Sequence, residues 1–162
     1  MEHLTACHRR IEQRLATLER VAAHLDRNST EALEAIASCF RFFESNGVLH
    51  TADEEESVFP RLQPRLSGEE RRFIANLEDQ HREADRLYAE LKAIAGELQS
   101  GLPASRELQD RYRERATRLA ELYRSHIAAE DETLIALSQR ILSAPELAEI
   151  SREMKSRRGL SA

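Results

Sequence analysis

The sequence predicts an all-α protein, an antiparallel up-down-up-down four-helix bundle followed by a short C-terminal helix. Three observations carry that expectation. Apolar residues recur at alternating steps of three and four along four long segments, as on helices with one buried face. No segment alternates apolar and polar with period two, so no sheet is expected. Five glycines and four prolines in 162 residues are too few for a strand-and-turn architecture.

The first helix is expected from about Glu2 to Arg27, with the stripe Leu4, His8, Ile11, Leu15, Leu18, Ala22, Leu25. Asn28 and Glu31 have the spacing of a capping box between it and the second helix. That second helix carries Leu33, Ile36, Phe40, Phe43, Gly47, His50 and Glu54 on one face. Asn46-Gly47 is its weak point, because an interior glycine costs ~1 kcal/mol relative to alanine, and a kink or break is expected there. Pro60 and Pro64 mark its end. Ser67-Gly68-Glu69-Glu70 is a capping box opening a third helix, with Ile74, Leu77, His81, Ala84, Tyr88, Leu91, Ala95 and Leu98 as its stripe. Ser100-Gly101-Leu102-Pro103 stops it. The fourth helix has the stripe Leu108, Tyr112, Ala116, Leu119, Tyr123, His126, Glu130, Thr133, Leu137, Ile141. At ~1.5 Å per residue it is long enough for its N-terminal part to project past the bundle. Ser143-Ala144-Pro145-Glu146 caps a final short helix ending near Lys155. Residues 1–142 are expected to form the bundle, and 143–162 a helix and basic tail.

Composition narrows the function. Hydrophobic residues at 41% and charged ones at 33% describe one globular domain. The net charge of -5 argues against a nucleic-acid partner. The basic stretch Arg152 to Arg158 reads as a solvated end. Cys7 and Cys39 are too few for a disulfide framework, which fits a reducing cytosol. Residues 1–7 lack an apolar signal core, and no apolar run approaches ~20 residues. A soluble, cytoplasmic protein without a membrane partner is expected, as monomer or homodimer.

The chemistry is concentrated in a duplicated unit. His50-Thr51-Ala52-Asp53-Glu54 is echoed by His126-Ile127-Ala128-Ala129-Glu130. Residues four apart lie on one helix face, so each pair aims an imidazole nitrogen and a carboxylate oxygen at one point. Upstream, the segment starting at His8 resembles the one starting at His81. In an antiparallel bundle, residues equally far from a turn sit at one height. By that measure His8, His50, Glu54, His81, His126 and Glu130 fall in one core layer, within ~5 Å of rise. Such a layer costs several kcal/mol for each bare carboxylate or unpaired imidazole, and facing glutamates repel. A pair of cations removes that cost, and mixed imidazole and carboxylate donors suit Fe, Mn, Zn or Cu.

The order His … His-x-x-x-Glu … His … His-x-x-x-Glu resembles the hemerythrin-like, or HHE cation-binding, family. The segment from His50 to Leu62, with its Glu54-Glu55 and Phe59-Pro60, is similar to that family's most recognisable stretch, and the likeness spans roughly residues 1 to 142. The resemblance implies a non-haem di-iron centre, oxo- or hydroxo-bridged, within a four-helix bundle that binds oxygen or related small molecules. It implies His8, His50, Glu54, His81, His126 and Glu130 as ligands, with Glu54 and Glu130 as bridges. The family's invertebrate oxygen carriers have two histidines on the third helix and an aspartate on the fourth. This chain has only His81 on the third and Glu130 on the fourth, which implies an open position on each metal. Ferritin-like di-iron proteins match less well, since they use Glu-x-x-His.

The function expected is binding of, or response to, O2, NO or peroxide, or a part in iron homeostasis. No Gly-rich phosphate loop and no placed nucleophile point to a hydrolase or transferase. Redox activity toward peroxide or O2 is the one enzymatic reading retained. Manganese or zinc could replace iron, and a structural or interaction bundle with a vestigial or zinc-filled site is the alternative. Among neighbouring residues, His3 and His24 read as surface, with His3 a reserve ligand. Glu55, Glu56, Asp131 and Glu132 read as solvated or as partners of the ligands, with Glu55 a substitute for Glu54. Tyr123 reads as core, or as a hydrogen-bonding group near the metals. Cys7 reads as a small buried residue.

Overall fold

The structure, a computed structural model, describes residues 2–25, 30–100 and 104–160, and they form helices without strands. Helix α1 is Glu2–Ala22. Helix α2 spans 30–62, opening as Thr30–Phe42 and ending as Phe59–Leu62. Helix α3 is Gly68–Ser100. Helix α4 spans 106–141, opening as Arg106–Ala129 and ending as Ile135–Ile141. Helix α5 is Ala144–Arg157. Helix α1 packs on α2 and α4, α4 on α3, and α2 closes the ring against α3. No helix among the described residues is long and apolar enough to cross a membrane.

The caps legible in the sequence form. Ser67 and Glu70 bond reciprocally, Ser67 N–H to Glu70 Oε2 at 2.7 Å and Glu70 N–H to Ser67 Oγ at 3.4 Å. Ser143 and Glu146 make the second box, with Ser143 N–H donating to Glu146 Oε2 at 2.8 Å. These bonds satisfy amide hydrogens that a helix start leaves unpaired. Asn28 of the Asn28–Glu31 box, and Gly101, Leu102 and Pro103 of the Ser100–Pro103 stop, lie outside the described residues.

Neither α2 nor α4 is uniformly α-helical. Three wider, π-type turns interrupt them: Phe43–Gly47, Asp53–Val58 and Glu130–Leu134. Each inserts a residue without breaking the helix. The kink expected at Asn46-Gly47 is therefore an uninterrupted π turn, with Gly47 in helical geometry at φ -63°. A β-carbon on Gly47 would sit 3.4 Å from the Phe43 ring, in ordinary contact with it. In α4 the insertion changes the buried register. Thr133, expected on the apolar stripe, is exposed, and Leu134 is buried in its place. Nor does α4 project past the bundle, since Tyr112 and Ala116 are fully buried against the neighbouring helices.

Among the described residues the core is two apolar clusters with a polar layer between them. One contains Ile11, Leu15, Ile36, Phe43, Ala84 and Leu119, and the other Leu4, Val58, Phe59, Leu77, Leu134 and Met154. Burying one such side chain stabilises the fold by ~1.5–3 kcal/mol. On each of the four long helices the chain passes from one cluster to the other through the duplicated His and Glu positions. That placement positions the site.

Candidate metal centre

All six duplicated-unit side chains are buried: His8, His50, Glu54, His81, His126 and Glu130 expose 0–7% of their surface. Each glutamate meets one imidazole from its own helix and one from another. Glu54 Oε1 lies 3.3 Å from His50 Nε2, and Glu54 Oε2 lies 3.2 Å from His81 Nε2. Glu130 Oε1 lies 3.0 Å from His126 Nε2, and Glu130 Oε2 lies 3.1 Å from His8 Nε2. The donors fall into two groups, His8 with His50 and His81 with His126, and both groups include Glu54 and Glu130. Within each group the four donor atoms lie within 4.8 Å of one another.

Hydrogen bonds on the outer side of the rings decide which nitrogens face the centre. His8 Nδ1 lies 2.8 Å from Asp131 Oδ1, and His81 Nδ1 lies 2.8 Å from Glu55 Oε1. His126 Nδ1 lies 2.9 Å from Gln80 Oε1. Carboxylate and amide oxygens only accept, so these three Nδ1 atoms donate. In the neutral rings, Nε2 then carries a bare lone pair aimed inward. The Nε2 atoms of His81 and His126 face each other at 3.1 Å. His8 Nε2 faces a carboxylate oxygen. Among the described residues, His8 Nε2, both His50 ring nitrogens and all four oxygens of Glu54 and Glu130 find no hydrogen-bond partner. Buried acceptors aimed at one another are costly, several kcal/mol for each charged group. A cation between them turns that repulsion into coordination, so the residues fit a metal.

The titration behaviour of the protein groups agrees. Burial, and then the charge of Glu130, push Glu54 well above the carboxylate range. Glu130 is held low despite its burial, because the His126 and His8 rings beside its oxygens favour the charged form. Two facing carboxylates cannot both keep their charge without a positive partner. Burial pulls His50 down to about 3 and also lowers His81, whose second cause is His126. Burial opposes protonation of His8 too, but Glu130 and Asp131 outweigh it and raise that ring.

The outer partners were partly missed. Glu55 and Asp131, expected as solvated or as partners of the ligands, are half-exposed carboxylates that pair with His81 and His8. Gln80 was not singled out; its only signal was adjacency to His81. Asp53, inside the His50 motif, is 1% exposed and holds the basic tail. Arg157 Nη1 donates to Asp53 Oδ1 at 3.1 Å, and Arg158 Nη2 lies 2.7 Å from Asp53 Oδ2. The stretch Arg152 to Arg158 is thus not a solvated end throughout, because these two arginines are docked on the bundle. His3 and His24 are exposed, Cys7 and Cys39 are free and buried, and Tyr123 is half-buried with its ring edge-on to His126 at 6.4 Å. Tyr123 also lines a cleft of about 330 Å³ with Phe43, Val48, Thr51, Glu55 and Tyr88. The cleft thus reaches two residues in contact with His81 and His126.

Comparison with curated proteins finds no match. Comparison with protein-family models matches residues 1–138 to the hemerythrin HHE cation binding domain. The buried His and Glu clusters, the helical fold and that match together show that the chain belongs to the hemerythrin HHE cation-binding domain family.

Proposed function

We propose that this chain is a non-haem di-iron protein that binds or responds to O2, NO or peroxide, or serves iron homeostasis. His8 and His50 would hold one ion and His81 and His126 the other, with Glu54 and Glu130 shared. The observation that supports this best is the pair of donor groups, each with two imidazoles and both containing the same two buried glutamates. Mixed nitrogen and oxygen donors suit iron. A bound iron pair supplies redox change and open positions for a small molecule. The outer carboxylates Glu55 and Asp131 make the His81 and His8 rings stronger donors by accepting their Nδ1 protons. The apolar layers on either side exclude water. The cleft beside Glu55 and Tyr123 offers a small molecule an approach to the centre. The two free, buried thiols fit a reducing, cytoplasmic setting.

A zinc-filled or vestigial site is the second reading. It has one specific observation in its favour: each donor group has four ligand atoms, the number that closes a structural zinc site. Reconstitution separates the two. Protein loaded anaerobically with Fe(II) and then exposed to O2, NO or peroxide should develop charge-transfer absorption in the near ultraviolet and visible. A protein that stays colourless after each reagent, and prefers zinc, contradicts the di-iron reading.

A further inference from the structure

The two halves of the centre are not supported alike. Three of the four imidazoles have an acceptor on Nδ1: Asp131 for His8, Glu55 for His81 and Gln80 for His126. His50 has none among the described residues; its Nδ1 is buried without a partner there. The duplicated unit differs at the position that supplies this partner. Gln80 directly precedes His81, and the matching position before His8 is Cys7, whose thiol is a poor acceptor.

The His50 segment has a different support. Three residues after His50 stands Asp53, where the other repeat has Ala129. Asp53 takes Arg157 on one oxygen and Arg158 on the other, and Arg157 also donates to Ser57 Oγ at 2.9 Å and Glu56 Oε2 at 3.1 Å. Both arginine side chains are 19% exposed, and Asp53 is 1% exposed. Their helix, α5, is seated by Ile150 and Met154, each 1% exposed, and by the Arg61–Glu153 ion pair at 2.7 Å. So α5 grips the π turn that carries Glu54. The two arginines lie outside the span 1–138 that matches the family, and their partners lie inside it.

We propose that Arg157 and Arg158 are positioning residues for the His8–His50 metal site, and that this site is the weaker, later-filled of the two. An imidazole whose outer nitrogen is bonded is held in its binding orientation beforehand. The His50 ring lacks that bond, and its segment is held through Asp53 instead. Outer partners of this kind are worth about 10–100-fold in metal affinity. The His81–His126 site, with both rings anchored, fills first. This inference rests on the two-metal reading above.

The test is a stepwise anaerobic titration of the full chain with Co(II), followed by its visible absorption. The parent protein should take two ions in steps separated by about 10–100-fold. In Arg157→Ala/Arg158→Ala, both steps should weaken, because Glu54 serves both sites, and the second should weaken by about a further tenfold relative to the first. A general loss of stability moves both steps together, so their ratio reports positioning. Arg157→Lys/Arg158→Lys should recover part of the ratio, and Arg65→Ala, which frees Glu146 at the far end of α5, should leave it unchanged. If circular dichroism shows the double alanine variant unfolded, the single variants Arg157→Gln and Arg158→Gln carry the test. Equal weakening of both steps, or an unchanged ratio in the arginine variants, overturns the proposal. A parent protein that binds no second ion overturns the two-metal reading as well.

Discussion

The Nε2 atoms of His81 and His126 lie 3.1 Å apart, and in the neutral rings, with Nδ1 protonated, neither has a proton to give the other. Glu55 and Gln80 hold the protons of both rings on the outer side. Two lone pairs at that distance make sense as a cradle for a cation and poorly as a packing contact. The relationship makes the outer acceptors part of the site. Glu55→Leu removes one acceptor and should lower metal affinity about 10–100-fold. Glu55→Gln keeps an accepting oxygen and should lose less. Equilibrium dialysis of both variants reads the difference, and equal affinities would contradict the role given to that bond.

The metal-free protein should carry the opposite preference. Burial pushes Glu54 well above the carboxylate range, with Glu130 the next cause. Glu54→Leu removes that conflict at similar volume. Replacing buried ionic groups by apolar ones can stabilise by about 1–4 kcal/mol. The metal-stripped variant should therefore melt higher than the metal-stripped parent while failing to load. A lower melting temperature would mean that Glu54 is satisfied within the protein alone.

The π turn in α4 makes neighbouring residues unequal. Leu134 is fully buried and Thr133 exposed. Leu134→Ala should cost ~2–5 kcal/mol, and Thr133→Ala within ~0.5 kcal/mol. Urea unfolding at equilibrium measures both. The reverse ranking would restore the uninterrupted α-helical register.

Acid should loosen the seat of α5. Arg65, and then the Ser143 cap, hold Glu146 at about 2, well below its ordinary 4.5. A carboxylate depressed by folding adds stability that is complete above its unfolded value. That stability is lost as pH falls through the folded one. The Glu146 contribution is therefore present at neutral pH and disappears between about pH 4.5 and 2. Unfolding midpoints at pH 7 and pH 3 should differ less in Glu146→Gln than in the parent. An unchanged difference would show that Glu146 contributes nothing to the acid response.

Much of this was legible in the sequence, for physical reasons. Helical spacing decides which side chains share a face, so the pairs at His50 and His126 and the lone His8 and His81 could be gathered into one layer from position alone. The Ser67 and Ser143 boxes are local and were equally readable. The π turns were not, because a change of backbone hydrogen-bond register leaves little trace in an apolar pattern; Thr133 and Leu134 look interchangeable until one is seen to be buried. The docking of Arg157 and Arg158 was invisible for another reason. It depends on where α5 lands, and a basic stretch near the end of a chain has the same composition whether or not it finds a buried aspartate. Gln80 differs again: an amide beside a histidine has no distinguishing spacing, and its role appears only when the His126 ring is placed against it.

The central claim is that six buried side chains on four helices are gathered by two shared cations. Anaerobic Fe(II) titration with metal counting, on the parent, Glu54→Ala, Glu130→Ala and His24→Ala, tests it most directly. The account predicts two irons per chain in the parent and in His24→Ala, and loss of most iron in each glutamate variant. Equal iron content in all four proteins, or none in any, would contradict it.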